Sequence, residues 1–204
     1  VMAFLAAYNA RKMGVENYVA QYMFNNPPAT SPRMDLAKML AKKELIAELR
    51  GPDFEVWTET RAGLSSYPTD LDEAKGHLAF STALQMALKP HIVHVVAFTE
   101  AQHAARAHEV IESVKIARRV IEKVIHDFPD LADDERVQQR KEVLKKEAGV
   151  LLDAIKRLGE SRGAEDPWGD PETIAAAVET GLLDAPHLRN NPAAKGTIVT
   201  QIVD

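Results

Sequence analysis

Three β-rich segments, Asn17–Phe24, Phe54–Thr60 and His91–Phe98, each run into a polar turn and then into a long amphipathic stretch. The helical patterns begin near Asp35, Asp70 and Ala101. A strand–loop–helix unit repeated at this length predicts a parallel sheet with covering helices. The third segment, Ile92–Phe98, is nearly continuous in apolar residues, as a strand buried on both faces should be. Parallel sheets gather their chemistry at the carboxyl ends of the strands, so the three turns are where a site is expected.

The turns and ends carry their own signals. After the first strand, Asn25-Asn26-Pro27-Pro28-Ala29-Thr30-Ser31-Pro32 is too proline-rich for helix or ladder, and either Ser31 or Asp35 can cap a helix over Leu36–Leu49. Arg50-Gly51-Pro52 stops that helix. The second strand enters Arg61-Ala62-Gly63-Leu64-Ser65-Ser66-Tyr67-Pro68, followed by a helix over Asp70–Leu88. Gly76 inside that helix costs about 1 kcal/mol relative to alanine, which predicts a close packing partner there, the sheet above all. Helices are expected over Ala101–Asp127 and Asp134–Leu158, a linker at Glu165–Pro171, a short helix over Pro171–Glu179, and a last strand at Thr197–Val203. The opening, Val1–Tyr8, reads as the middle of a helix, so the chain is expected to be a piece of a larger protein or a subunit that begins inside a fold. The division expected is 1–128 for the α/β part and 129–204 for a mainly helical extension and closing segment.

The chain has 204 residues and is 46 % hydrophobic, enough for a sizeable core. It is slightly short for a complete (β/α)8 barrel, which takes about 250 residues. A net charge of −5 argues against a nucleic-acid binder. No apolar run reaches the roughly 18 residues that cross a bilayer. There is no cysteine, which excludes disulfides and cysteine–zinc sites and fits a reducing cytoplasm.

No P-loop, dinucleotide fingerprint, nucleophile elbow or H-E-x-x-H motif occurs, so candidates come from position. Asn25, Asn26, Thr30 and Ser31 follow the first strand. Glu59, Arg61, Ser65, Ser66 and Tyr67 close the second, and Thr99, Glu100, Gln102 and His103 follow the third. Glu100, just past an apolar strand, can accept hydrogen bonds from ligand hydroxyls or act as a base; its plainer role is a first-turn glutamate favoured by the helix dipole. His103 can pair with it at i,i+3. Arg61 can take an anionic group bidentately or form a rim salt bridge. His103 and His108 stand roughly 140° apart around a helix, and His91 and His94 fall on opposite faces of a strand, so no histidine metal site is expected.

Tyr67-Pro68-x-Asp70, then Gly76, then His91–Phe98 and Glu100-Ala101, resembles the large subunit of glutamate (methylaspartate) mutase. From Tyr67 to about residue 120 the chain lies on that pattern without a gap. Glu179-Thr180-Gly181-x-x-Asp184-x-Pro186 is similar to the family's closing segment, and Gly14-Val15-x-Asn17 extends the likeness. The lysine and ornithine aminomutases share the same barrel, and Pro27-Pro28-Ala29 is more like theirs.

The resemblance implies an adenosylcobalamin-dependent radical isomerase of a small amino acid, cytoplasmic and oligomeric, with the cofactor held between this barrel and a separate cobalamin-binding domain or subunit. It implies the carboxyl-terminal half of a (β/α)8 barrel with a helical extension, incomplete by itself as an enzyme. In the family a lysine and a glutamate hold the adenosyl ribose; the glutamate maps onto Glu100, and Val96 holds the lysine's place. Thr99 and His103 join Glu100 as expected cofactor contacts, and Asn25, Asn26, Arg61 and Tyr67 are expected to face substrate. The family's substrate-binding arginines belong to the other barrel half, and no D-x-H-x-x-G cobalamin motif occurs here. Two rivals remain. An aminomutase component would use pyridoxal phosphate as well, with its Schiff-base lysine on another domain. A non-catalytic α/β scaffold subunit would need neither.

Overall fold

The computed structural model describes residues 1–199, which divide into two compact units. One is Val15–Lys145; the other joins Val1–Gly14 to the chain from Lys146 onward.

The first unit contains three parallel strands in the order β1-β2-β3: β1 Asn17–Phe24, β2 Glu55–Ala62 and β3 Ile92–Val93. Helix α2 (Pro32–Ala47) links β1 to β2, α3 (Leu71–Met86) links β2 to β3, and α4 (Ala107–Asp127) follows. The expected parallel α/β architecture is therefore present. β1 and β2 pair in register along their whole length, Asn17 opposite Glu55 through Phe24 opposite Ala62. Because side chains alternate along a strand, that register sorts both strands the same way. Ala20, Tyr22 and Phe24 share a buried face with Val56, Thr58, Thr60 and Ala62, packed with α2 and α3 through Leu36, Ala37, Leu78 and Leu84.

The helices start where the capping chemistry directs. Ser31 Oγ accepts from the Met34 amide with Pro32 at the first helical position, so Ser31 rather than Asp35 caps α2. Asp70 caps α3, accepting from Asp72 and Glu73. Asp35 is instead fully buried, its carboxylate accepting the Asn25 amide and pairing with Lys38 at 2.8 Å. It ties the first helix to the end of the first strand.

Three sequence expectations fail for physical reasons. Strand β3 is only two residues long because past His94, whose amide still donates to the Thr60 carbonyl at 2.8 Å, the chain bonds otherwise: the Ala97 amide donates to the Glu100 carboxylate and the Phe98 amide to Ser113 Oγ. Helix α4 starts at Ala107, six residues later than expected, because residues 98–103 form turns and Glu109 accepts the Arg106 amide at 2.6 Å to cap the helix there. Gly76 has no close partner: it is exposed, and a Cβ added there meets nothing within 4 Å.

In the second unit α1 (Met2–Lys12) sets Phe4 and Tyr8 edge-on against Trp168, with centroids 5.4 and 5.6 Å away. Asp166 receives the Tyr8 hydroxyl at 2.9 Å and Lys12 at 2.5 Å, and the Lys12 bond holds its carboxyl below the usual range. Residues 146–161 of helix α5 (Glu135–Ser161) belong to this unit. Helix α6 (Pro171–Thr180) is capped by Asp170 and ends at Gly181, whose φ of 83° is a left-handed stop that suits glycine. Asp184 then accepts the amides of Thr197 and Ile198. The strand expected at Thr197–Val203 does not form over residues 197–199, and the rest lies outside the described residues. No helix among the described residues is long and apolar enough to cross a membrane.

Two substitutions test this account by urea unfolding. Gly76→Ala, on an open helix face, should stabilise the protein by about 1 kcal/mol. Asp35→Ala, which strands the Asn25 amide, should cost about 2 kcal/mol. A destabilised Gly76→Ala variant would mean that the helix surface is covered after all.

Candidate functional site

Carboxyl ends of parallel strands leave their last carbonyls and side chains pointing into the loops beyond, and here the first two loops are stitched together. Gly63 donates its amide to the Phe24 carbonyl at 2.8 Å. A Cβ at Gly63 would stand 3.1–3.2 Å from Asn26 Cβ and from the carbonyl oxygens of Phe24 and Asn25, so any other residue there would push the two loops slightly apart.

Asn25, with a left-handed φ of 58°, is consumed by this junction. Its amide donates to Asp35, its carbonyl accepts from the Ser66 hydroxyl, and its Oδ1 accepts from Ser81 Oγ at 2.5 Å. Behind it, Gln85 Nε2 donates to Ser81 Oγ at 2.9 Å, so a buried polar chain reaches from α3 to the loop. Asn26 is exposed; Lys38 donates to its carbonyl at 2.6 Å and Ser65 Oγ to its Oδ1 at 3.4 Å.

Tyr67 lies under the second loop, in a cluster with Ala62, Ala74, Leu78, Val96 and Phe98. Its hydroxyl donates to the Val96 carbonyl at 3.1 Å and its ring meets His77 edge-on at 4.8 Å. Burial pushes that hydroxyl far above the ordinary tyrosine range; the Glu100 charge pushes it the same way and the Arg61 charge opposes both. Glu100 and Arg61 are thus each within electrostatic reach of the Tyr67 hydroxyl.

In the third loop Glu100 is exposed, with one oxygen accepting the Ala97 amide at 2.7 Å. Its other oxygen has no protein partner among the described residues. Thr99 is fully buried, its hydroxyl 3.4 Å from Glu109. His103 does not pair with Glu100. The chain is not helical there, so i,i+3 spacing does not apply, and His103 Nε2 lies 3.1 Å from Glu109 Oε1 instead. Glu109 is therefore the hub of this loop, and a glutamate at the third position of α4 was the signal for it. The Arg106 amide, then His103, hold its carboxyl below the usual range against the opposing effect of burial.

The opposite sheet face is open. Val19, Trp57 and Ile92 are 47, 36 and 42 % exposed, which is unusual for a parallel sheet. The face is layered along the strands. Val19 stands opposite Trp57 near the amino ends; one step on, Gln21 stands opposite Glu59, with Nε2 donating to Glu59 Oε1 at 2.9 Å. His94 Nδ1 lies 3.6 Å from the same oxygen. At the carboxyl end comes Arg61, whose Nε reaches only the Ala62 carbonyl at 3.4 Å and which has no acidic side chain within 4 Å among the described residues. Glu59 and Gln21 were legible in the alternation of the strands but not their meeting, which depends on register.

This is a parallel α/β subunit with polar groups gathered at strand ends, and with no nucleophile–base pair among them; it suits an enzyme that binds and shields a reacting group supplied by a cofactor. The chain belongs to the methylaspartate mutase E chain family, whose model matches residues 7–202. No curated protein matches the chain. The family is the adenosylcobalamin-dependent mutase subunit that works with a cobalamin-binding subunit, so the chain is a component of a glutamate mutase-like isomerase of amino-acid metabolism.

The Glu109 hub has a pH signature. A carboxyl whose folded value is depressed stabilises the fold above the ordinary glutamate range, and that contribution fades as the pH falls through the depressed value. The stability gap between the wild type and Glu109→Gln, read from urea midpoints, should therefore be widest near neutrality and narrow on acidification below about pH 4.5.

Proposed function

We propose that the three strand–helix units are consecutive units of the carboxyl-terminal half of a (β/α)8 barrel, with residues 1–128 carrying the barrel part and 129–204 an extension and closing segment. The open sheet face carries this reading. A parallel sheet is ordinarily covered on both sides. This one is covered by α2 and α3 on one side and presents, on the other, an apolar layer at the amino ends and a polar layer at the carboxyl ends. Barrel interiors are layered in this way, with the chemistry at the carboxyl-terminal mouth. The outer edges of β1 and β3 have no strand partner among the described residues, as strands awaiting the rest of a barrel would not.

At that mouth Arg61, Asn26 and Tyr67 are the substrate-side groups, with Asn25 fixing the loop that presents Asn26. Arg61 offers an uncommitted guanidinium for a carboxylate of the amino-acid substrate. Tyr67 closes the floor and excludes water. Glu100 is the group for the adenosyl ribose of adenosylcobalamin, and its exposed, unpartnered oxygen fits a ligand hydroxyl. Val96, in the place of the family's lysine, is fully buried and offers no charge, so Glu100 acts without it. Thr99 and His103 serve through Glu109, which sets the path of the loop that carries Glu100. When bound, adenosylcobalamin supplies the radical chemistry of the rearrangement. The residues of this chain orient the substrate, hold the ribose and keep water out. Such work, shared with a cobalamin-binding subunit, belongs in the cytoplasm.

The test is an absorbance titration of adenosylcobalamin into the complete complex of this subunit with its cobalamin-binding partner. Glu100→Gln should weaken saturable binding about tenfold, the cost of one hydrogen bond to a charged acceptor. A folded, complete complex that shows no saturable binding would overturn the reading.

A further inference from the structure

Helix α4 turns Glu109, Ser113 and Ala117 to the core, where an apolar residue would ordinarily fill the middle place. Ser113 is fully buried there, and its hydroxyl is used twice. It donates to the Glu109 carbonyl one turn back at 2.7 Å and accepts the Phe98 amide at 3.2 Å. The first bond is open to any helical serine. The second reaches across to the turn that carries Glu100. That turn closes with the Glu100 amide on the Ala97 carbonyl at 2.9 Å, and Glu100 Oε1 accepts the Ala97 amide at 2.7 Å. The amides of Ala97 and Phe98 are successive at the opening of this turn, and successive turn amides can face a single anion. Phe98 is only 3 % exposed, so its amide must find a partner within the protein.

We propose that Ser113 is a positioning residue for cofactor binding: by holding the Phe98 amide, it keeps the second oxygen of Glu100 free for the adenosyl ribose. The inference rests on the reading of Glu100 as the ribose contact. Without the Ser113 hydroxyl, the Phe98 amide is a buried donor with no acceptor, and the carboxylate that already holds Ala97 lies in the same turn. Oε2 then turns to the Phe98 amide, and a ligand hydroxyl must compete with the chain for that oxygen. Ser113 thus touches neither cofactor nor substrate and acts through the bonding capacity it leaves to Glu100.

The experiment titrates adenosylcobalamin, and methylcobalamin, which has no adenosyl ribose, into the complete complex. The subunit is wild type, Ser113→Ala, Glu100→Gln or the double variant. Ser113→Ala should weaken adenosylcobalamin about five- to tenfold and leave methylcobalamin unchanged. In the Glu100→Gln background the second position is an amide NH2, which cannot accept from Phe98, so Ser113→Ala should add nothing there. Should the alanine complex fail to assemble, Ser113→Cys, close in shape and a weak acceptor, carries the same comparison. A Ser113 variant that binds adenosylcobalamin as wild type does, weakens both cobalamins alike, or adds its full cost to Glu100→Gln overturns the inference and leaves the ribose reading standing. A Glu100→Gln complex that binds adenosylcobalamin as wild type does overturns both.

Discussion

The in-register pairing of β1 with β2 is the constraint on which the rest of this unit depends. A slip of β2 by one residue would turn Val56 and Ala62 out of the core and Glu59 and Arg61 into it. The first exchange loses the apolar contact with α2 and α3. The second buries two charges without partners. The two penalties act together, so the hydrophobic face fixes not only the core but also which polar residues can meet on the other side. Gln21 touches Glu59 because Tyr22 and Thr60 are packed beneath them.

A second layer of constraint holds the strand ends. Asp35, Lys38, Ser66 and Ser81 between them occupy the amide, carbonyl and side-chain oxygen of Asn25 and the carbonyl of Asn26, and Gly63 allows the two loops to touch. These are mostly bonds between sequence-distant segments, so forming them depends on the strands being paired first. Loops held this way present their outward groups at little further entropic cost on binding, which is what a site that must hold a small substrate requires.

What the sequence reveals depends on whether an element is decided locally. β1, the start of α3 at Asp70 and the short α6 were all legible, because alternation, capping residues and Pro–Gly punctuation are local signals. The length of β3 was not. The apolar run through Phe98 has the composition of a buried strand, but a ladder needs a neighbour, and beyond His94 the Ala97 and Phe98 amides find their partners in Glu100 and Ser113. The start of α4 was misplaced because Ala101, Ala104 and Ala105 are strong helix formers. Glu109 overrides them by capping the helix at Arg106. The pairing of His103 with Glu100 fails with it: the His103 amide bonds the Thr99 carbonyl at 3.0 Å, but that turn is isolated and the ring reaches Glu109 instead. Gly76 misled in the other direction, since a glycine costs the helix the same amount whether or not anything packs against it.

The same distinction separates the candidate residues. Asn25, Thr99 and Tyr67 stand in the loops that follow the strands and are polar, yet the bonds they make go to the chain itself. They shape the mouth rather than line it. Glu100 and Arg61 keep capacity that the chain does not use. A polar residue at a strand end is thus a weak indicator of contact with a ligand, whereas unspent bonding capacity is a stronger one, because a buried site must satisfy it with something. On that criterion the proposed mouth draws on two places, the open face and the third loop. Arg61 stands at the carboxyl end of the open face and Glu100 in the turn before α4, and each acts electrostatically on the buried Tyr67 hydroxyl. On the proposed reading, an anionic end of a substrate held by Arg61 and a ribose held by Glu100 would meet over one tyrosine, and holding two reacting groups together while keeping water out is the protein's share of chemistry whose radicals the cofactor supplies.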